Sequence, residues 1–373
     1  MKRAQYSRIL ADLGKKIVFL AGPRQAGKTW LAKKIAEEFE RPVYLNFDQL
    51  EDRAIIKTQS WLKSTDLVIL DELHKMKNWK NYLKGLFDTK PEHLKILVTG
   101  SARLEIFRQV GDSLAGRYYL HHLLPLSPAE LQQVHEPVDI DHLIQRSGFP
   151  EPYLASSETE AARWRMQYTD SLIRTDVLDF DNIHNLKAMQ TVFELLRTKV
   201  GSPISYQSIA IDVGISPNTV RKYIAILEAL YIIFKVSPYS RNIARSLLKE
   251  PKIYFFDIGL VKGDEGIKFE NLVANCLLKH VYAKRDYAAE YYELKCIKTK
   301  EKKEVDFALV KEDSIIELIE VKHADPQPSK SLLDYAEKYA VPGVQIIKNI
   351  RQERRYKNVN VMQAESYLTS LML

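Results

Sequence analysis

The stretch Ile17-Val18-Phe19-Leu20-Ala21-Gly22-Pro23-Arg24-Gln25-Ala26-Gly27-Lys28-Thr29 decides the fold. Its first five residues are apolar and suit a strand buried on both faces. The next eight, Gly22, Pro23, Arg24, Gln25, Ala26, Gly27, Lys28 and Thr29, match G-x-x-x-x-G-K-[ST] in full. Helical rhythm follows through Phe39. Glycines allow backbone amides to face a phosphate, and the helix start adds the positive end of its dipole. Lys28 is expected to reach the β- and γ-phosphates and Thr29 to meet Mg²⁺. ATP with Mg²⁺ is the expected cofactor pair.

Working outward, Val43–Phe47, Leu67–Leu70 and Leu94–Thr99 are similar apolar runs, separated by amphipathic segments such as Lys80–Phe87. This alternation predicts an α/β layer with a parallel sheet. Leu67-Val68-Ile69-Leu70 runs into Asp71-Glu72. Asp71 is expected in the Mg²⁺ shell, and Glu72 as the catalytic carboxylate that polarises the attacking water beside Lys28. Thr99-Gly100-Ser101 ends the next strand, where Ser101 suits either a sensor of the γ-phosphate or a helix N-cap. Arg117 is a candidate arginine finger acting across a subunit boundary, or else a surface arginine.

Composition sets limits. Of 373 residues, 46% are apolar and 28% charged, which excludes a disordered, collagen-like or fibrous chain. No apolar run approaches the roughly 20 residues a membrane helix needs, and no apolar segment follows the charged start as a secretory signal would require. Cys276 and Cys296 cannot by themselves form a disulfide framework or a four-ligand zinc site. The expected location is the cytoplasm. A net charge of +7 favours polyanion partners.

Changes of rhythm divide the chain into 1–136 (P-loop domain), 137–254 (helical and winged-helix domain) and 255–373 (an α/β domain). In the middle segment a helical run passes through Trp164, Tyr168, Leu172 and Leu178. Tyr206–Val213, a turn at Gly214 and a helix capped by Ser216 with Pro217 first then predict a helix-turn-helix. Val220, Tyr223, Ile224 and Leu227 form its buried face, while Asn218, Arg221 and Lys222 face outward for duplex DNA. Tyr231–Phe234 begins a wing, with Arg241 and Arg245 beyond. The same module also suits a purely structural role.

In the last segment Tyr291–Leu294, Val305–Val310 and Ile315–Val321 predict strands, with later ones at Val344–Ile347 and Val359–Met362. Period-two alternation puts Glu320 and Lys322 on one face, and a turn near Lys311–Ser314 brings Asp306 toward Glu320. Converging carboxylates with a lysine suit metal-dependent phosphodiester hydrolysis. Glu270 is a further acidic contact. Lys295, Lys298, Lys300, Lys302 and Lys303 form a basic loop suited to a phosphate backbone. A solvated edge strand with a basic loop fits the same residues.

The whole order of motifs resembles a prokaryotic family of AAA-type ATPases with a restriction-endonuclease-like C-terminal domain, the AAA_14 plus DUF4143 pairing. The resemblance rests on Gly22–Thr29, Leu67–Glu72, Thr99–Ser101, Ser113–Arg117, Leu124-Pro125-Leu126-Ser127, Gly148-Phe149-Pro150, the helix-turn-helix, Phe269-Glu270-Asn271 and the final acidic–lysine set. It implies a PD-(D/E)xK arrangement in which Asp306, Glu320 and Lys322 are catalytic, and Glu270, Asp306 and Glu320 hold Mg²⁺ or Mn²⁺. His74 stands where the family usually has glutamine. Together these readings lead to an ATP-dependent DNA-processing enzyme, a homo-oligomer that hydrolyses ATP and cuts branched or foreign DNA. The alternative is an ATP-driven switch whose nuclease-like domain only recognises DNA or protein.

Overall fold

The computed structural model describes residues 2–100, 114–173, 177, 185–240, 250–298 and 304–373. These gather into two units, residues 1–124 with 229–231, and 125–228 with 232–373.

The first unit is built on five parallel strands, β1 (Ile17–Ala21), β2 (Pro42–Asn46), β3 (Leu67–Asp71), β4 (Lys95–Thr99) and β5 (Tyr118–His122), in the order β2-β3-β4-β1-β5. Their apolar runs are continuous because both faces are covered. Ile17, Phe19, Val68, Leu70, Ile96 and Val98 pack under Trp79, Leu83 and Leu86 of helix Trp79–Thr89. The alternate residues Val18, Leu20, Leu67, Ile69 and Leu97 pack under Leu31 and Ile35 of helix Lys28–Ala36 and Ile9 of helix Tyr6–Leu13. Strand β5 escapes sequence reading, because Tyr118-Tyr119-Leu120-His121-His122 lacks an apolar run. Buried His121 instead meets Asp12 at 3.0 Å.

The second unit carries an eight-stranded sheet, β12-β13-β11-β10-β9-β8-β6-β7. Its strands are β6 (Ile233–Pro238), β7 (Lys252–Phe255), β8 (Tyr292–Lys298), β9 (Glu304–Lys311), β10 (Ser314–Lys322), β11 (Gly343–Ile347), β12 (Arg354–Tyr356) and β13 (Val359–Gln363). β6, where a wing was expected to begin, pairs with β7 and then joins this sheet through Ser237 and Pro238 beside Lys295 and Cys296. The middle and last segments therefore share one sheet, and position 254 lies inside β7. β9 and β10 form the expected hairpin, with Glu312 and Asp313 both left-handed between Lys311 and Ser314. That geometry matches the right-handed twist of the flanking strands. The helical run through Trp164 and Tyr168 is Glu158–Ser171; Leu178 lies outside the described residues. The 24-residue helix Glu265–Ala288 starts on an Asp264 cap, whose carboxylate accepts the Ile267 amide at 2.9 Å.

The sequence motifs near Pro125 and Gly148 also have structural work. Ser127 caps helix Pro128–Gln133, and the Leu126 amide donates to Gly148 O at 2.6 Å. A Cβ on Gly148 would stand 2.3 Å from Leu126 O, so only glycine permits that approach. Asn271 grips the backbone of β7, accepting the Phe255 amide at 2.9 Å and donating to its carbonyl at 2.8 Å.

Candidate nucleotide site and acidic cluster

The first site forms because β1, β3 and β4 all point their C-terminal ends the same way. Asn46, Asp71 and Thr99 are in register across β2, β3 and β4. Asp71 is buried and serves as the hub. Its carboxylate accepts the Thr29 hydroxyl at 3.0 Å, the Thr99 hydroxyl at 2.5 Å, the Tyr44 hydroxyl at 2.5 Å and the Glu72 amide at 3.1 Å. Residues 42 and 28 positions away in sequence thus converge on this one side chain: the loop threonine from one motif and the strand-end threonine from another. Burial, followed by the hydrogen bond to Asp71, holds the Tyr44 phenol well above its usual pKa.

The loop itself turns through left-handed residues at Gly22, Gln25 and Gly27. Lys28 is buried and donates to Gly22 O at 2.9 Å and Pro23 O at 2.6 Å, so its ammonium sits inside the curl of its own loop. Arg3 braces the loop from outside, donating to Ala26 O at 2.7 Å and Leu124 O at 2.6 Å. Gly22 has φ +149°, and a Cβ there would lie 2.2 Å from Leu123 O. Since the Leu123 amide donates to Ala21 O, that carbonyl cannot retreat without loosening the end of β5. Gly22→Ala is therefore expected to destabilise the first unit by at least about 2 kcal/mol and to abolish nucleotide retention, as read by thermal melting and a nucleotide-binding titration.

Glu72 follows the strand in a left-handed conformation (φ 55°), its amide donating to Thr99 O at 3.1 Å. Burial first, then the negative charge of Asp71, raises its pKa above the usual glutamate range. His74 Nε2 lies 3.5 Å and Lys75 Nζ 3.7 Å from its carboxylate. Arg117 lies just before β5, at the end of the sheet opposite Gly22, since Tyr118 pairs with Ile17 and His122 with Ala21. Its guanidinium meets Asp88 at 2.8 and 3.1 Å. Ser101 lies outside the described residues.

In the second unit, helix Tyr206–Val213, a left-handed Gly214 and helix Pro217–Ala229 stand as expected, with the Thr219 amide donating to Ser216 Oγ. Val220, Tyr223, Ile224 and Leu227 are buried, while Asn218, Arg221 and Lys222 are exposed. Arg221 lies over the Tyr206 ring, 5.2 Å from its centre. Of the expected basic loop, Lys295 and Lys298 lie on β8, whereas Lys300, Lys302 and Lys303 are outside the described residues.

The acidic set gathers around a residue that sequence reading passed over. Lys252 of β7 is 2% exposed, and its ammonium lies 2.6 Å from Glu304, 3.2 Å from Asp306 and 3.7 Å from Glu270. Burial opposes its charge, but Asp306, Glu270 and Glu304 outweigh burial and raise its pKa. Asp306 spends its other oxygen on the Val321 amide at 3.0 Å, and Glu270 accepts the Tyr254 hydroxyl at 2.7 Å. Lys322 pairs with Glu320 at 2.8 Å, as period two requires. Burial, reinforced by the charge of Asp306, pushes Glu270 and Glu320 up to about 7. Of the residues expected to hold a metal, Glu270 and Asp306 both lie against the Lys252 ammonium, and Glu320 against Lys322. Among the described residues no group of three or more His, Cys, Asp or Glu side chains is arranged to hold a metal ion. The only sequence signal of Lys252 was a charge at the start of a β-rich run, Lys252-Ile253-Tyr254-Phe255.

Residues 14–132 match a family model described as an AAA domain. The N-terminal part is an AAA-type domain. Beyond this AAA-type domain, residues 138–268 and 265–367 match two domains of unknown function, DUF8612 and DUF4143. A Mycobacterium bovis protein is 25% identical over 246 residues, covering 66% of this chain and 55% of its own length. A Haemophilus influenzae protein is 22% identical, covering 80% of this chain and 81% of its own. The chain thus spans about half the length of the mycobacterial relative. Among solved structures, a Walker-type ATPase of Pyrococcus abyssi is similar at 14% identity and TM-score 0.44, over 72% of this chain and 95% of that one. The Aeropyrum pernix Orc1 protein in complex with DNA is similar at 13% identity and TM-score 0.35, over 73% and 91%. No described helix is long and apolar enough to cross a membrane.

Proposed function

We propose that this chain is an ATP-hydrolysing, DNA-binding switch. The observation that carries the proposal is Asp71 accepting both Thr29 and Thr99, which ties the phosphate-cradling loop to the acidic strand end. With ATP bound, Lys28 would exchange its two loop carbonyls for the β- and γ-phosphates, and Thr29 and Asp71 would hold Mg²⁺, which offsets charge on the phosphates. The residues fit that ion, since a hydroxyl and a carboxylate already meet at 3.0 Å. Glu72, held basic by burial and Asp71, is the group to orient the attacking water. Arg117 is too far along the sheet to serve its own site, so its use as a finger calls for a second copy. The direct test is ATP consumption by the purified chain with Mg²⁺, alone and with nucleic acid. Neither retention nor consumption of ATP would end the proposal.

DNA binding rests on the exposed face of helix Pro217–Ala229. If Arg221 and Lys222 each neutralise a phosphate, replacing both with alanine lowers the slope of log affinity against log salt by about 2 and weakens binding across sequences alike. Fluorescence anisotropy at several salt concentrations checks this; an unchanged slope would assign that helix a structural role.

A second reading, DNA cleavage in the second unit, is favoured by the contact between Asp306 and the Val321 amide inside the Glu320-Val321-Lys322 strand. It requires metal-dependent cutting that Asp306→Ala and Lys322→Ala each abolish.

A further inference from the structure

We infer that the Lys252 ammonium is the built-in cation of the acidic cluster, standing where a divalent ion would have to sit among Glu270, Glu304 and Asp306. This deepens the switch reading, in which the second unit binds without cutting, and its test reads metal uptake rather than ATP turnover.

Three observations converge. First, the ammonium is within 3.7 Å of three carboxylates and is almost sealed from water, so it is a fixed part of the core and not a surface side chain that swings in and out. Second, each carboxylate of the cluster already has at least one oxygen engaged. Mg²⁺ demands several oxygens at about 2.0–2.1 Å in octahedral array. Asp306 has Lys252 on one oxygen and the Val321 amide on the other. Glu270 Oε1 takes the Tyr254 hydroxyl, and Glu320 Oε1 takes Lys322. Glu320 Oε2 is buried without a hydrogen-bond partner. A divalent ion at this place would have to displace these partners, the ammonium first. Third, the packing fixes this arrangement. Gly201, left-handed at φ +73°, lies against Glu270, and a Cβ there would come within 2.9 Å of Glu270 Oε1. Asn271, next in the chain, is clamped to Phe255 on the same strand that carries Lys252. Admitting a divalent ion would mean expelling a buried ammonium from three carboxylates, which leaves that charge uncompensated. A Cys296 thiol beside the cluster is also kept protonated, pushed up to about 12 by burial, and so offers no soft ligand in its place.

The test uses the full chain without nucleotide and Mn²⁺ alone as the probe, with free Mn²⁺ counted by electron paramagnetic resonance. Wild type, Asp306→Asn and Glu320→Gln should take up the same Mn²⁺ across the titration. Lys252→Ala empties the centre of the cluster and should bind one more Mn²⁺ per chain, at least about tenfold more tightly than wild type does there. The double variant Lys252→Ala, Asp306→Asn should lose that gain. Mn²⁺ uptake by wild type that Asp306→Asn removes would overturn the inference, as would a folded Lys252→Ala that gains nothing. Should Lys252→Ala fail to fold, the wild-type and Asp306→Asn comparison alone decides.

Discussion

Lys28→Ala should leave a folded chain whose ATP turnover is lower by a factor of at least about 10²–10³, the usual loss when one preorganised positive contact to a transferring phosphoryl group is removed. The variant probes the loop directly, because the bonds from Lys28 to Gly22 O and Pro23 O stay within the loop that would hold the phosphates. Binding should weaken as well, since the ammonium meets the β- and γ-phosphates in the ground state as well as in the transition state. Glu72→Gln should behave differently. It keeps the size of the side chain and removes only its basicity, so ATP should still bind while turnover falls by about 10²–10⁴. The two carboxylate neighbours also set a pH signature. Burial and Asp71 raise the Glu72 pKa, so a base at that position loses its proton only above the ordinary glutamate value near 4.3. Turnover should therefore rise with pH through that raised value, and the acid limb should vanish in Glu72→Gln. Phosphate release across a pH series measures both. Wild-type turnover in Lys28→Ala would place hydrolysis somewhere other than this loop.

The nucleotide loop could be read from sequence because each requirement there is local: glycine where the backbone must turn left, a strand before it, a helix after it. The strands of both sheets were equally visible wherever burial on both faces left apolar runs, as in Leu67–Leu70 and Phe307–Val310. What stayed hidden depends on partners far away in sequence. Tyr44 reads as one more strand residue until the sheet order places it beside Asp71. Arg3 matters only because the chain returns at Leu124. Lys252 is the sharpest case. An E-x-K pattern and a nearby aspartate are visible in one short window, but the lysine that fills the cluster arrives from a strand 54 residues earlier than Asp306. No periodicity announces a buried charge, because charged residues in β-rich runs ordinarily face water. The same holds for β5, an edge strand without an apolar run, whose buried His121 finds Asp12.

The largest stability effect should come from a pair that neither motif nor pattern exposes. Glu130 and Lys279 have side chains 0% and 3% exposed, and the ammonium bonds both the carboxylate and Pro125 O, the latter at 2.8 Å. Glu130 sits on the short helix capped by Ser127, and Lys279 on the long helix Glu265–Ala288, so the pair pins two elements of the second unit together. Glu130→Ala leaves the buried Lys279 ammonium without its carboxylate, a loss of about 3–5 kcal/mol. For a unit of this size that corresponds to roughly 6–20 °C in its melting midpoint. The expected asymmetry is the informative part. Desolvating two charges costs nearly as much as their attraction returns, so Glu130→Leu combined with Lys279→Met should lie far closer to wild type than either single change. A double-mutant cycle by calorimetry gives the coupling directly, following the second unit's own transition because two units need not melt together. Single variants that melt like wild type would show that the pair is not the clamp its burial implies.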